Sequence, residues 1–206
     1  EGQEVTGLTG NKVRINTLVD ALNNFVVNPP RNFDAPLRVP ISGVYNIKGA
    51  GTILTGRIEQ GTVKPGDEVV FLPTNTASSA CAGKVFSIEM HHKAVESAGP
   101  GDNIGMSIKG LDKQNMPQNG DIMILKNDTT LRKAKSFTAQ VQIVDHPGEL
   151  KKGYCPVACV RTAKCAVRMS DIKWKVGKET GMKKLENPVS LKALEMAEVV
   201  FEPQQP

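Results

Sequence analysis

A chain of 206 residues with 39% hydrophobic residues has the composition of an ordinary globular protein and is long enough for one large domain or two small ones. It holds no apolar run long enough to cross a bilayer as a helix, its opening residues lack the basic and apolar regions of a secretory signal, and Cys81, Cys155, Cys159 and Cys165 form no Cys-x-x-Cys pair, which points to reduced thiols in the cytoplasm and away from a disulfide framework, a zinc knuckle or a membrane protein. The net charge of +5 is uneven: residues 151–192 carry 11 Lys or Arg against 3 Asp or Glu, a balance that suits RNA and equally suits a solvated basic face.

The first segment reads as a single helix. Thr17-Leu-Val-Asp20 resembles a capping box with Asp in place of Glu, and Leu18, Val19, Leu22, Phe25 and Val26 follow at helical spacing. The helix has to stop before Pro29-Pro30, because a residue that precedes proline avoids helical angles. So wide an apolar stripe on so short a helix needs something to dock on.

Beyond "NPPRNFDAP" the pattern changes to short runs rich in Val and Ile, at 37–45, 52–58, 68–72, 84–90, 103–108 and 121–125. Gly/Pro breaks separate them, and six such strands with little helix indicate a closed barrel or a sandwich. A second series begins near Ser136, where Phe137, Ala139, Val141 and Ile143 alternate onto one face, and continues at 156–162, 165–169, 172–176 and 197–201. The polar link "KNDTTLRKAK" has the character of a domain boundary. The expected organisation is all-β: a helical segment and linker at 1–32, a first β-barrel at 33–131, and a second at 132–206. The second has too few strands to close, and an open barrel leaves an exposed edge, so further C-terminal sequence is expected.

The glycine-dense stretch "GAGTILTGRIEQGTVKPGDEV" raises the question of phosphate binding. A P-loop needs G-x-x-x-x-G-K-[ST] between a strand and a helix, but Gly51 and Gly56 are followed by Arg57-Ile58 and by another strand. The dinucleotide pattern fails as well. A structural reading fits better: hairpin turns at 49–51, at Gly61 and at Pro65-Gly66, and a close backbone approach or bulge at Gly56.

The residues then become specific. "APLRVPISGVYNIKGAGTILTGRIEQGTVKPGDEVVF" resembles the start of the second domain of the translational GTPases. "FSIEMHHKAVESAGPGDNIGMSIKG" and "FTAQVQIVDHPGELKKGYCPVACVRTAKC" resemble elongation factor 1-alpha, the eukaryotic counterpart of elongation factor Tu. The similarity runs over 13–206, and the long loop "PTNTASSACAGKVFSIE" is most similar to the elongation-factor-like branch of certain unicellular eukaryotes. The resemblance implies a GTP-binding domain, of which this chain would keep only the last helix, followed by two β-barrels.

It also implies a function: GTP-dependent delivery of aminoacyl-tRNA to the ribosome. The second domain of the family holds the aminoacyl end, which carried over by motif gives Tyr45, Thr55, Glu89, His91 and Asn103. Each brings chemistry that fits: Tyr45 as an aromatic wall, Glu89 as acceptor for a ribose hydroxyl or an amine, Asn103 as donor and acceptor, His91 for stacking or donation, Thr55 as wall. Ser42-Gly43 departs from the family, which often carries acidic or amide residues there. In the third domain Arg161, Thr162 and Lys164 are candidates for the tRNA backbone, where contacts position without reading sequence. GTP and Mg would belong to the parent protein, with no cofactor, metal or catalytic constellation in this chain. Other implied partners are the ribosome, a nucleotide exchange factor and the protein's own GTPase domain. A protein-interaction module for an exchange factor or cytoskeletal partner, and a release- or rescue-type translational GTPase, are the alternatives.

Overall fold

Alternating apolar and polar residues dictate extended backbone, and from Val39 onward the regular elements are all strands apart from one 3-10 turn at Lys178–Thr180. The structure, a computed structural model, describes residues 2–6, 10, 12–49 and 51–205. It divides into two units, Glu1–Arg31 and Asn32–Pro206.

The first unit departs from the single helix expected of it. Two short antiparallel strands, β1 (Gln3–Thr6) and β2 (Lys12–Ile15), precede the helix α1 (Leu18–Phe25). They are short, β1 is exposed throughout, and the alternation of β2 reaches only half-burial at Val13 and Ile15, too brief a pattern to mark a strand. The helix start is capped as read: the Asp20 amide donates to Thr17 Oγ1 at 3.0 Å. Asp20, in place of a glutamate, accepts instead from the amide of Asn16, one residue before the cap, at 3.2 Å. The apolar stripe is exposed, from 47% at Phe25 to 75% at Leu18.

The second unit opens with β3 (Val39–Ile47), β4 (Gly51–Arg57), β5 (Glu68–Leu72), β6 (Ala82–Met90), β7 (Lys93–Val95), β8 (Asn103–Lys109) and β9 (Ile122–Leu125). Of the turn expected at 49–51, Ala50 lies outside the described residues. The strands are hydrogen-bonded in the order β5-β9-β3-β4-β8-β6-β7, and β5 also pairs with β6. That extra pairing closes six strands into a barrel, with β7 as an appended hairpin arm. Closure removes the free edges that a sheet would otherwise expose. Val39, Leu54, Phe71, Val85, Ile88 and Met106 fill the interior, each at most 1% exposed. Gly56 faces this interior, where a Cβ would come within 2.7 Å of the Pro40 carbonyl oxygen, so the close approach foreseen for it is real. The barrel ends are tied by Arg38, before β3, which pairs with Asp128, after β9, and donates to Thr130 Oγ1 at 2.6 Å.

The remaining strands are β10 (Phe137–Gln142), β11 (Leu150–Lys151), β12 (Val157–Val160), β13 (Ala163–Val176), β14 (Leu185–Glu186), β15 (Ser190–Leu191) and β16 (Met196–Pro203). β10-β16-β13-β12 form a curled sheet with β14 on β13, and β11 pairs with β15. The runs expected at 165–169 and 172–176 are one long strand, bent by register shifts at Met169/Asp171 and Ile172/Trp174. Its core is Leu150, Met169, Ile172, Leu191, Val199 and Phe201. The architecture is all-β, a closed barrel followed by a half-barrel.

A buried ion pair anchors the second sheet. Lys175 Nζ lies 2.8 Å from Glu195 Oε1, both side chains are under a tenth exposed, and the Lys192 amide donates to Glu195 Oε2 at 2.8 Å. Glu195→Ala is expected to cost about 3–5 kcal/mol, because it strands a buried ammonium, seen as a lower urea midpoint. A second outcome concerns acid. Bonds from Thr130, then Arg38, hold the Asp128 carboxyl at about 2 against an ordinary 3.8, and burial opposes them. Its contribution is in place above the ordinary value and is lost as the pH falls through about 2. Asp171, held at about 2 by Lys152 and Lys173, titrates in the same window. Asp128→Asn should therefore lower the melting temperature at neutral pH and flatten, without abolishing, its fall in acid.

Candidate functional site

Strand pairing places four positions in one row across the outside of the barrel. Gly43 on β3 faces Thr55 on β4, Thr55 faces Gly105 on β8, and Gly105 faces Glu89 on β6. Side chains on one face of adjacent strands stand side by side, so a glycine between Thr55 and Glu89 leaves a gap. A Cβ at Gly105 would meet nothing closer than Ile53 Cγ2 at 3.9 Å. The next outward pair is Arg57 with Asn103. Gly105 is thus the floor of a depression walled by Thr55, Glu89, Arg57 and Asn103.

The depression is part of a cavity of about 640 Å³, whose lining also includes Ser42, Glu59, His91, His92, Arg161 and Thr162. A register shift between Ile41 and Gly43 marks Ser42 as the irregular residue of β3, and its Oγ lies 3.1 Å from Thr55 Oγ1. His91 and His92 form the two-residue turn between β6 and β7, with φ of 51° and 61°. Positive φ at both positions is the type I′ form of such a turn, and histidine is among the few non-glycine residues enriched there. The other rim comes from the β12–β13 turn. Arg161 sits at φ 56° and pairs with Glu59 of the first barrel at 3.2 Å. Thr162 Oγ1 is buried without a hydrogen-bond partner. The same turn abuts Gly120, where φ is 98° and a Cβ would lie 2.9 Å from Ala163 Cα. A cavity with carboxylates, an amide, hydroxyls, imidazoles and guanidinia around an open floor suits a polar ligand that carries both donors and acceptors.

The structure therefore brings Thr55, Glu89, His91 and Asn103 together, and adds Arg161 and Thr162 from the second sheet. Tyr45 is not in this lining. Its ring turns back over Gly43, where a Cβ would lie 2.5 Å from ring Cε2, and it stands beside the cavity, 54% exposed. Lys164 lines a different cavity of about 400 Å³, with Arg132 and Lys133 among its walls. Ser42, Arg57, Glu59, His92 and Gly105 were not singled out as site residues. Alternation along β4 from Thr55 would have pointed to Arg57, whereas Gly105 becomes visible only once β8 is known to lie between β4 and β6.

The sequence model for "Elongation factor Tu domain 2" matches residues 51–124, and that for "GTP-eEF1A C-terminal domain-like" matches residues 136–206. The chain belongs to the elongation factor 1-alpha family. The elongation factor 1-alpha of Metallosphaera sedula is 40% identical over 207 residues, covering 100% of this chain and 46% of that protein. That of Hyperthermus butylicus is 41% identical over 92% of this chain and 42% of the relative, and that of Onchocerca volvulus 42% identical over 86% and 37%. The chain thus spans less than half the length of these curated relatives. Sup35 complexed with GMPPNP has the same fold, at a TM-score of 0.74 and 24% identity over 91% of this chain and 43% of that one.

The two barrel-wall glycines should behave oppositely. Gly105→Ala meets open space and should leave the melting temperature almost unchanged. Gly56→Ala drives a methyl against the Pro40 carbonyl and Val39, and should cost about 1–3 kcal/mol. Thermal and urea denaturation of the two variants checks the contrast.

Proposed function

We propose that the cavity around Gly105 holds the aminoacyl end of a charged tRNA, and that the parent protein is a translation elongation factor that delivers this tRNA to the ribosome with GTP. The observation that carries the reading is the convergence of Glu89, Asn103 and Thr55 on a floor without a side chain. An aminoacylated ribose presents a free hydroxyl, an α-amine and an ester within a few ångströms of one another. Glu89 accepts from the hydroxyl or the amine, Asn103 donates and accepts beside the ester, and Thr55 and His91 close the sides. Tyr45, beside the cavity, offers a flat apolar surface to the amino-acid side chain or the terminal base.

Arg161 fits the polyanionic side of the same ligand. It reaches the cavity from the second sheet and supplies a positive group where the RNA backbone would leave the pocket. Thr162 adds a hydroxyl beside it, and Lys164, lining the neighbouring cavity with Arg132 and Lys133, extends the basic surface. No reacting constellation is required of these residues. GTP and Mg would be bound by a separate nucleotide-binding part of the parent protein, and the ribosome and an exchange factor would be partners of that whole.

Binding of charged and uncharged tRNA to the parent protein with GTP tests the reading. A preference for the charged form is expected, and Asn103→Ala or Glu89→Ala should reduce it by about ten-fold, the value of one charge-assisted hydrogen bond. Equal affinity of the unsubstituted protein for both forms would overturn it.

A further inference from the structure

Phe86 is out of place on a barrel wall. It is 57% exposed although it lies in the middle of β6. The cause is a register shift: Val85 pairs with Ile108 and Ser87 with Ser107, so Phe86 has no partner on β8. A bulge of this kind re-aims one side chain and lets the strand keep Val85 and Ile88 in the core on either side of it. Lys109 Nζ lies 3.2 Å from the centroid of the ring. Lys84, Lys109, Val85, Gly66 and Phe86 line a cavity of about 240 Å³.

The charge around the ring is unbalanced. Lys84 and Lys109 face each other across the β6–β8 ladder, and among the described residues neither takes part in an ion pair. Glu68, opposite Lys84 on β5, is bonded to Lys126 at 2.9 Å. An exposed aromatic ring with one lysine, Lys109, over one face and a second, Lys84, in the same lining is a combination that binds single-stranded nucleic acid, with the other face of the ring stacking on a base and the cations meeting the phosphates. The patch is also continuous with the proposed pocket. β6 and β8 carry both, and Phe86 lies three residues from Glu89, about 10 Å along the strand.

We propose that Phe86, flanked by Lys84 and Lys109, is a stacking platform for the single-stranded nucleotides that adjoin the aminoacyl end. The proposal rests on the reading of the Gly105 cavity given above. An acidic protein segment would find the cations but has no need of the bulged ring, which is why RNA is favoured.

Fluorescence anisotropy with a labelled short single-stranded RNA ending in CCA, with and without an aminoacyl group, tests this on the full chain. Phe86→Ala should weaken both forms about ten-fold and equally, as loss of one base–aromatic stack does, whereas Phe86→Trp should bind within about two-fold of the original. The Lys84→Ala, Lys109→Ala double variant should reduce the slope of log affinity against log salt by about 1.4 between roughly 50 and 200 mM salt. Unchanged RNA affinity in Phe86→Ala overturns the platform, as does a loss confined to binding of a polyglutamate peptide. The pocket reading fails separately: Asn103→Ala then leaves the preference for the charged form intact while Phe86→Ala still weakens both.

Discussion

Everything at the candidate site depends on one closure, the pairing of β5 with β6. Without it the first residues of β6, Ala82–Lys84, would form an open edge, because the short arm β7 covers only Ile88–Met90. With it, β6 is tied on both sides and its register against β8 is fixed. That register decides that Glu89 faces Gly105, and through Gly105 that Glu89 stands across from Thr55. Because side chains in a sheet alternate with a period of two, a slip of one residue would send Glu89 inward and bring Ile88 to the surface. The buried Ile88, Val85 and Phe71 penalise such a slip, so the core chooses which polar groups the surface presents.

Irregularity is the second theme, and it occurs where the surface has chemistry. β3 departs from regular pairing at Ser42 and β6 at Phe86, and each departure turns a side chain outward beside the Gly105 depression or along the same ladder. The turns at the cavity rim carry non-glycine residues at positive φ: His91 and His92 in one, Arg161 in the other. Glycine or asparagine would fit these turns at lower conformational cost. Retaining imidazoles and a guanidinium there sets the side chain's position above the comfort of the backbone, a trade common at binding sites.

The strands were legible where burial imposes a sharp pattern. The run at 68–72 coincides with β5 because Val69 and Phe71 are buried, their neighbours are not, and Pro65-Gly66 marks its start. The long β13 read as two runs because its bulges break the alternation around Ser170. β1 left no trace because it buries no side chain, and β2 only the two half-buried positions Val13 and Ile15, one alternation too short to read as a strand. Legibility of the site was of another kind. Thr55, Glu89, His91 and Asn103 lie far apart in sequence and came from motif resemblance; alternation says which face each takes but not which strands are neighbours. Arg161 and Lys164, three residues apart, line different cavities, because Arg161 occupies the turn and Lys164 the strand that follows.

The turn that carries Arg161 has a mechanical consequence. It touches the first barrel twice, by ion pair at Glu59 and by backbone approach at Gly120, and it forms one rim of a cavity whose other walls belong to that barrel. A ligand seated there would bridge the two hydrophobic cores. Its binding energy would be lost if either core came apart, so an occupied cavity would tie the unfolding of one core more tightly to that of the other.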